Sequence, residues 1–252
     1  MSELERVRLT RTRHLWQRKR GHRTGTDDIL CAWAALRAAP DGARRALELG
    51  AGQGAVSLIL ADQLPDLHIT AVEAQVISYE LLERNVRENL LTDRYELHCG
   101  DLRRLRFEPE SFDLVFGTPP FMPMGSGTLP QDAQRAAARF EMRGGIEAYC
   151  EAAAQALREG GGCAILMDAA RPERYEAALK SAGLTLEVVT AVLPMAQRAP
   201  TYLIYLARRA PTSQTPVVRE SLEVRVSPDQ LTREYEAIRF SFDLPTSRGV
   251  WL

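Results

Sequence analysis

Between Arg44 and Arg209, short runs rich in apolar and β-branched residues alternate with longer stretches whose apolar positions recur every three or four residues. The runs "RALELG", "HITAVEA" and "YELHCGD" read as strands, and "AVSLILADQL" and "VISYELLERNVRENLL" between them read as helices, giving βαβαβ. The pattern continues with "FDLVFGT", a long helical region ending near "EAAAQALREGGG", the strand "CAILMDA" and the helix "RPERYEAALKSAG". Two closing strands, "LTLEVVTAVL" and "PTYLIYLARR", complete a set of seven. Alternation of this kind predicts an α/β fold: a doubly wound, seven-stranded, mainly parallel sheet covered by helices on both faces.

Flanking segments set the expected boundaries. Residues 1–43 form a basic N-terminal arm followed by a helix, "DDILCAWAALRAA", with Thr26 as its N-cap. Residues 44–210 form the core, and residues 211–252 a C-terminal extension. In that extension "PTSQTP" reads as a surface connector, "SLEVRV" as a strand, and Ser227 with Pro228 as the opening of a helix. Trp16, Trp33 and Trp251 read as packing residues.

The first core strand runs into "ELGAGQGA", a glycine loop that opens a helix, where ligand can approach the backbone at a helix N-terminus. Gly50, Gly52 and Ala55 satisfy a relaxed dinucleotide pattern, and Glu73 stands about 20 residues on, where an acid grips a ribose. A nicotinamide enzyme is therefore one reading. Glu48 argues against it, because a carboxylate two residues before the first glycine repels a pyrophosphate and attracts a cation. S-adenosylmethionine carries a sulfonium and an ammonium, so it suits Glu48 beside the loop, Glu73 at the ribose and Asp101 at the adenine amino group. Successive strand ends carry these three acids.

The fourth core strand ends in "GTPPF". Tandem prolines fix two φ angles and remove two donors, leaving a rigid turn rich in acceptors. In a sheet whose order reverses beside its first strand, the first and fourth strands are neighbours, so this turn and the glycine loop share one crevice. The Thr118 hydroxyl and the Pro119 carbonyl can accept both hydrogens of a planar amine, while Phe121 stacks on its ring.

These motifs resemble class I S-adenosylmethionine-dependent methyltransferases, Rossmann-like enzymes whose amino-methylating members carry an (N/D/S)-P-P-(Y/F) loop. The likeness is closest to the bacterial tRNA(Val) adenine-N6 methyltransferase family, carried by "GTDDILCAWA", "ALELGAGQGAVSLILA", "AVEAQ", "GTPPF", "ARFE" and "LTREYEAIRFSF". The resemblance implies a cofactor set of Thr26, Asp27, Gly50, Gly52, Gly54, Glu73 and Asp101, with Thr26 at the methionine carboxylate, to which the charge argument above adds Glu48. It also implies catalytic Thr118, Pro119, Pro120 and Phe121, and S-adenosylhomocysteine as product. Two positions depart from the family: Thr118 stands where Asn is usual, and Phe140 where His is usual. The same loop type also serves guanine N2 in rRNA and glutamine amides in proteins, and loss of turnover would leave a cofactor-binding module.

Charge and cysteine content refine the setting. The formal net charge is −1, yet arginines crowd the first 23 residues, so Arg18, Lys19 and Arg20 are candidate phosphate contacts, with Arg139 and Glu141 as candidate substrate-loop residues. The four cysteines have no paired spacing, no ligand cluster calls for a metal, and neither a membrane span nor a signal-peptide core is apparent. A cytoplasmic enzyme acting on tRNA is the expectation.

Overall fold

A computed structural model describes residues 3–211 and 215–245. Trp251 lies outside the described residues, as do residues 212–214 of the "PTSQTP" connector. The chain opens with an antiparallel hairpin, β1 (Leu4–Arg8) and β2 (His14–Arg18). It proceeds through α1 (Thr26–Ala38), β3 (Arg45–Leu49), α2 (Ala55–Leu60), β4 (His68–Glu73), α3 (Val76–Glu88) and β5 (Tyr95–Cys99). Then come β6 (Phe112–Gly117), α4 (Ala133–Arg139), α5 (Ile146–Ala156), β7 (Leu157–Asp168), α6 (Pro172–Ser181), β8 (Thr185–Met195) and β9 (Tyr202–Arg208). The extension supplies β10 (Val218–Ser227), β11 (Gln230–Leu231) and α7 (Arg233–Ser241).

The sheet has nine strands in the order β11-β10-β8-β9-β7-β6-β3-β4-β5. Seven of them, β3 to β9, are those expected from the core sequence. The extension adds the other two: β10 pairs in parallel with β8, Val218 opposite Val188 through Glu223 opposite Leu193. This covers an edge that β8 would otherwise expose to stray pairing. The sheet is parallel except where β9 runs antiparallel to β7 and β8, and β11 to β10. β3 lies between β4 and β6, so the order reverses there and the carboxyl ends of β3 and β6 open a crevice between them.

Two amides on α3 dock the hairpin on the core. Asn85 is fully buried, accepts from the Trp16 amide at 2.7 Å and donates to the Trp16 and Gln53 carbonyls. Asn89, one turn on, accepts from the His14 amide and donates to its carbonyl. The helix thereby reads β2 much as a neighbouring strand would. Trp16 and Trp33 are each covered by an arginine, Arg84 at 3.7 Å and Arg37 at 4.6 Å from the ring centroid.

Several expected boundaries move. Helix α1 starts at Thr26 with Gly25 as N-cap, because the Asp28 carboxylate accepts from the Gly25 amide at 2.8 Å and closes the first turn from within. Ser227 ends β10 instead of opening a helix; Thr232 caps α7, its hydroxyl accepting from the Tyr235 amide. The long helical region is two helices separated by "FEMRGG". Among the described residues no helix is long and apolar enough to cross a membrane.

Candidate active site at the ends of β3, β4, β5 and β6

A crevice of about 1110 Å³ runs across the carboxyl ends of these strands. Of the residues singled out in the sequence, Lys19, Arg20, Asp27, Glu48, Gly50, Gly52, Glu73, Asp101, Thr118, Pro119, Pro120, Phe121 and Arg139 line it. Thr26, Gly54, Arg18 and Glu141 do not. Thr26 stands toward Tyr235 of α7, leaving Asp27 and Asp28 to represent the start of α1 in the crevice. Gly54 is the left-handed N-cap of α2, packed against Leu82.

The glycine loop is built for close approach. Gly50 has φ +68°, and a Cβ there would lie 2.2 Å from the Tyr149 hydroxyl, so neither backbone nor space admits a side chain. Gly52 has φ +58°, and a Cβ there would meet nothing within 4 Å; the backbone is open to the crevice. The Gly52 amide donates to Glu73 Oε2 at 2.8 Å, and the Gln75 amide donates to Oε1 at 2.7 Å. Burial raises the Glu73 pKa, and these amides pull it back.

Glu48 is in a different state. It is 2% exposed, its Oε2 has no hydrogen-bond partner, and burial pushes its pKa up to about 8, reinforced by the charge of Glu73. Burial thus favours the protonated form of Glu48 as long as no cation faces it. A cation brought against it would draw the proton off. Asp101 is held the opposite way: the Arg103 guanidinium grips it through Nε at 3.0 Å and the terminal nitrogen at 2.6 Å, keeping its pKa below the usual carboxylate range.

Across the crevice, Thr118 Oγ1 is buried without a hydrogen-bond partner, the Cys31 sulfur beside it being at best a weak acceptor for its hydroxyl, which leaves the oxygen lone pairs free. No hydrogen bond among the described residues ends on the Pro119 carbonyl. Buried polar atoms are nearly always paired in folded proteins. Yet three of the seven unpaired side-chain atoms among the described residues, Glu48 Oε2, Gln53 Oε1 and Thr118 Oγ1, belong to residues lining this one crevice. That donor and acceptor set fits a cationic nucleoside ligand beside an incoming amine.

The turn after β6 is held from behind. Met122 bridges to Phe140, with the Met122 amide donating to the Arg139 carbonyl and the Glu141 amide to the Met122 carbonyl. Phe140 is 1% exposed, so it fills a packed position beneath the turn. Arg139 and Glu141 do not pair with each other. Instead Arg174 of α6 forks onto both Glu141 oxygens at 2.8 and 2.9 Å and reaches Glu147 at 2.7 Å, while Arg171 donates to the Phe121 carbonyl at 3.3 Å. The two carboxylates raise the Arg174 pKa further. The first turn of α6 thus anchors the "TPPF" segment.

Two aromatic crevice residues, Tyr149 and Tyr202, were not singled out in the sequence. Tyr149 of α5 packs on Gly50 and Gly117. Tyr202, at the start of β9, places its ring centroid 6.0 Å from that of Phe121 at an interplanar angle of 53°. Its phenol is pushed up to about 12 by burial and by Asp27 and Asp28. Neither sits in a local motif; only the sheet order brings them in.

A family model described as a methyltransferase domain matches residues 46–145. The chain is 28% identical over 236 residues to a tRNA1(Val) (adenine(37)-N6)-methyltransferase of Tolumonas auensis, covering 93% of this chain and 95% of that one. It is 31% identical over 166 residues to a protein of the same name from Bacteroides thetaiotaomicron, covering 65% and 67%. Among solved structures, a predicted O-methyltransferase from Agrobacterium tumefaciens superposes with a TM-score of 0.63 at 19% identity over 87% of this chain and 97% of that one, a likeness of fold. The chain belongs to the tRNA1(Val) (adenine(37)-N6)-methyltransferase family of S-adenosylmethionine-dependent N-methyltransferases with a class I fold.

Proposed function

We propose that this chain methylates the exocyclic N6 of adenine 37 in tRNA(Val), with the crevice at β3 and β6 as the reaction centre and the cytoplasm as its setting. S-adenosylmethionine, when bound, supplies an electrophilic methyl carbon. Glu73 has lone pairs left for ribose hydroxyls after accepting two backbone amides, and Glu48, once its proton is displaced, faces the cationic end. Asp101 accepts from the adenine amino group with the lone pairs that Arg103 leaves free.

One observation carries the substrate reading: Thr118 Oγ1, buried and unpartnered, stands next to a Pro119 carbonyl that receives no donor. Two acceptors on one rigid turn suit the two N–H bonds of a planar amine. Hydrogen bonds from both hydrogens draw the nitrogen away from conjugation with the ring and make its lone pair available. The target base has to leave its stack to reach them, and Phe121, with Tyr202 beside it, offers an aromatic wall. Holding the amine at the methyl carbon supplies rate through proximity. Thr118 does with a hydroxyl what relatives do with an amide oxygen.

The test is transfer of labelled methyl to tRNA from a strain lacking the modification, followed by digestion and mass spectrometry. N6-methyladenosine at position 37 is the expected product. Label in guanine N2 or in a protein glutamine, with none in adenine, would refute the proposal.

A further inference from the structure

Several basic side chains of the arm that the sequence marks as RNA-binding are neutralised by the protein's own side chains. Arg18 is bound by Asp132 and Gln134, Lys19 by Glu3 and Arg23 by Glu5. Four arginines lining the crevice are exceptions: Arg20 after β2, Arg135 and Arg139 on α4, and Arg143 between α4 and α5. Among the described residues none of the four side chains has an ion-pair or hydrogen-bond partner, and Arg20, Arg135, Arg139 and Arg143 are all exposed. The acids on the same stretch of chain are committed elsewhere, Asp132 to Arg18 and Glu141 with Glu147 to Arg174, while Arg143 acts on Glu73 through its charge alone.

Arg135 and Arg139 are one helical turn apart, where like charges on neighbouring positions repel. A fold with carboxylates to spare elsewhere leaves this repulsion standing at the mouth of its reaction centre. The i, i+4 spacing puts the two guanidinium groups on one face of α4 at a separation comparable with that of successive phosphates along one strand, and guanidinium forks suit phosphate oxygens.

We propose that Arg135 and Arg139 hold consecutive phosphates of the single-stranded segment around the target nucleotide, with Arg20 and Arg143 completing the rim, and that the paired arm residues Arg18, Lys19 and Arg23 contribute little charge to RNA binding. The inference rests on the tRNA reading of the same crevice. It places the electrostatic part of recognition on α4 and its flanks.

The experiment measures binding of a fluorescent RNA hairpin bearing the anticodon loop to the full chain across a potassium chloride series. S-adenosylhomocysteine calorimetry on each variant verifies the crevice. For single-stranded contacts each lost phosphate partner lessens the slope of log K against log salt by about 0.7. Arg135→Gln/Arg139→Gln is expected to lessen it by about 1.4, and Arg20→Gln by about 0.7. Arg219→Gln, whose side chain pairs with Glu176 away from the crevice, is expected to leave it unchanged. Because Arg20 lies outside α4, its variant gives an answer even if the double variant misfolds. Wild-type slopes in Arg20→Gln and in a double variant that still binds S-adenosylhomocysteine would overturn the rim while leaving methylation of tRNA intact. Failure of the wild-type chain to bind or methylate tRNA would remove the tRNA reading and the rim with it.

Discussion

The outer and inner strand ends of the crevice are furnished differently. At the ends of β4 and β5, Glu73 and Asp101 have their oxygens engaged, by two backbone amides in one case and by Arg103 in the other. At the ends of β3 and β6, Glu48 Oε2 and Thr118 Oγ1 are buried with nothing bonded to them. An unpaired buried polar group costs about 1–3 kcal/mol. The outer acids are therefore oriented by the fold before any ligand arrives, whereas the inner pair is destabilising until a ligand satisfies it. The difference separates a mould that sets shape from a centre that gains energy on binding.

Breaking the mould is expected to have the largest effect. Glu73→Ala removes two charge-assisted hydrogen bonds of about 1.5–3 kcal/mol each and a ribose acceptor. Affinity for S-adenosylhomocysteine, read by calorimetry, should fall on the order of 100-fold or more. On the substrate side, Phe121→Ala removes a stacking wall worth about 1–3 kcal/mol per base. It should lower kcat/KM for tRNA about 10- to 100-fold while cofactor affinity stays near that of the wild type.

Glu48 sharpens the comparison through pH. Its folded-state pKa of about 8 lies above the ordinary 4.5, so the folded chain binds this proton more tightly than the unfolded one. The resulting stability is fully present below about pH 4.5 and is lost as pH rises through about 8. Thermal unfolding of the ligand-free protein should show this decline, flattened in Glu48→Gln. Affinity for S-adenosylmethionine should change in the opposite sense, rising toward pH 8 as the carboxylate forms, and the same variant should abolish that rise. The smallest effect is expected for Arg103→Ala. Its pair with Asp101 is partly exposed, and such pairs are worth about 0–1 kcal/mol, so cofactor affinity should shift no more than about fivefold.

The outer half of the site was more legible in the sequence than the inner half. Glu73 and Asp101 could be read because each follows a β-branched or apolar run at a fixed distance from the glycine loop, and the reversal beside β3 follows from the connection rules. The "TPPF" turn was legible because tandem prolines allow few conformations. What holds that turn was not. Arg174, Glu141 and Glu147 meet only once α6 packs beside α5, and no local pattern reports such a junction. Helix starts were misplaced where a side chain inside the first turn, Asp28, replaced the expected cap. The arm's pairing was hidden for the same reason: Arg18 meets Asp132 more than a hundred residues away along the chain, so part of a basic run in sequence is neutralised in space. The protonation of Glu48 is likewise a product of tertiary burial.

The central claim is that Thr118 Oγ1 is an acceptor kept vacant for the target amine. The direct measurement is Thr118→Val, read three ways on one preparation: single-turnover methyl transfer to tRNA, S-adenosylhomocysteine affinity and thermal stability. Removing an unpaired buried hydroxyl at nearly constant volume should slow transfer about tenfold or more, leave cofactor affinity within about twofold, and leave the melting temperature equal or higher. Undiminished transfer, or a loss of stability and cofactor affinity that matches the loss of rate, would contradict it.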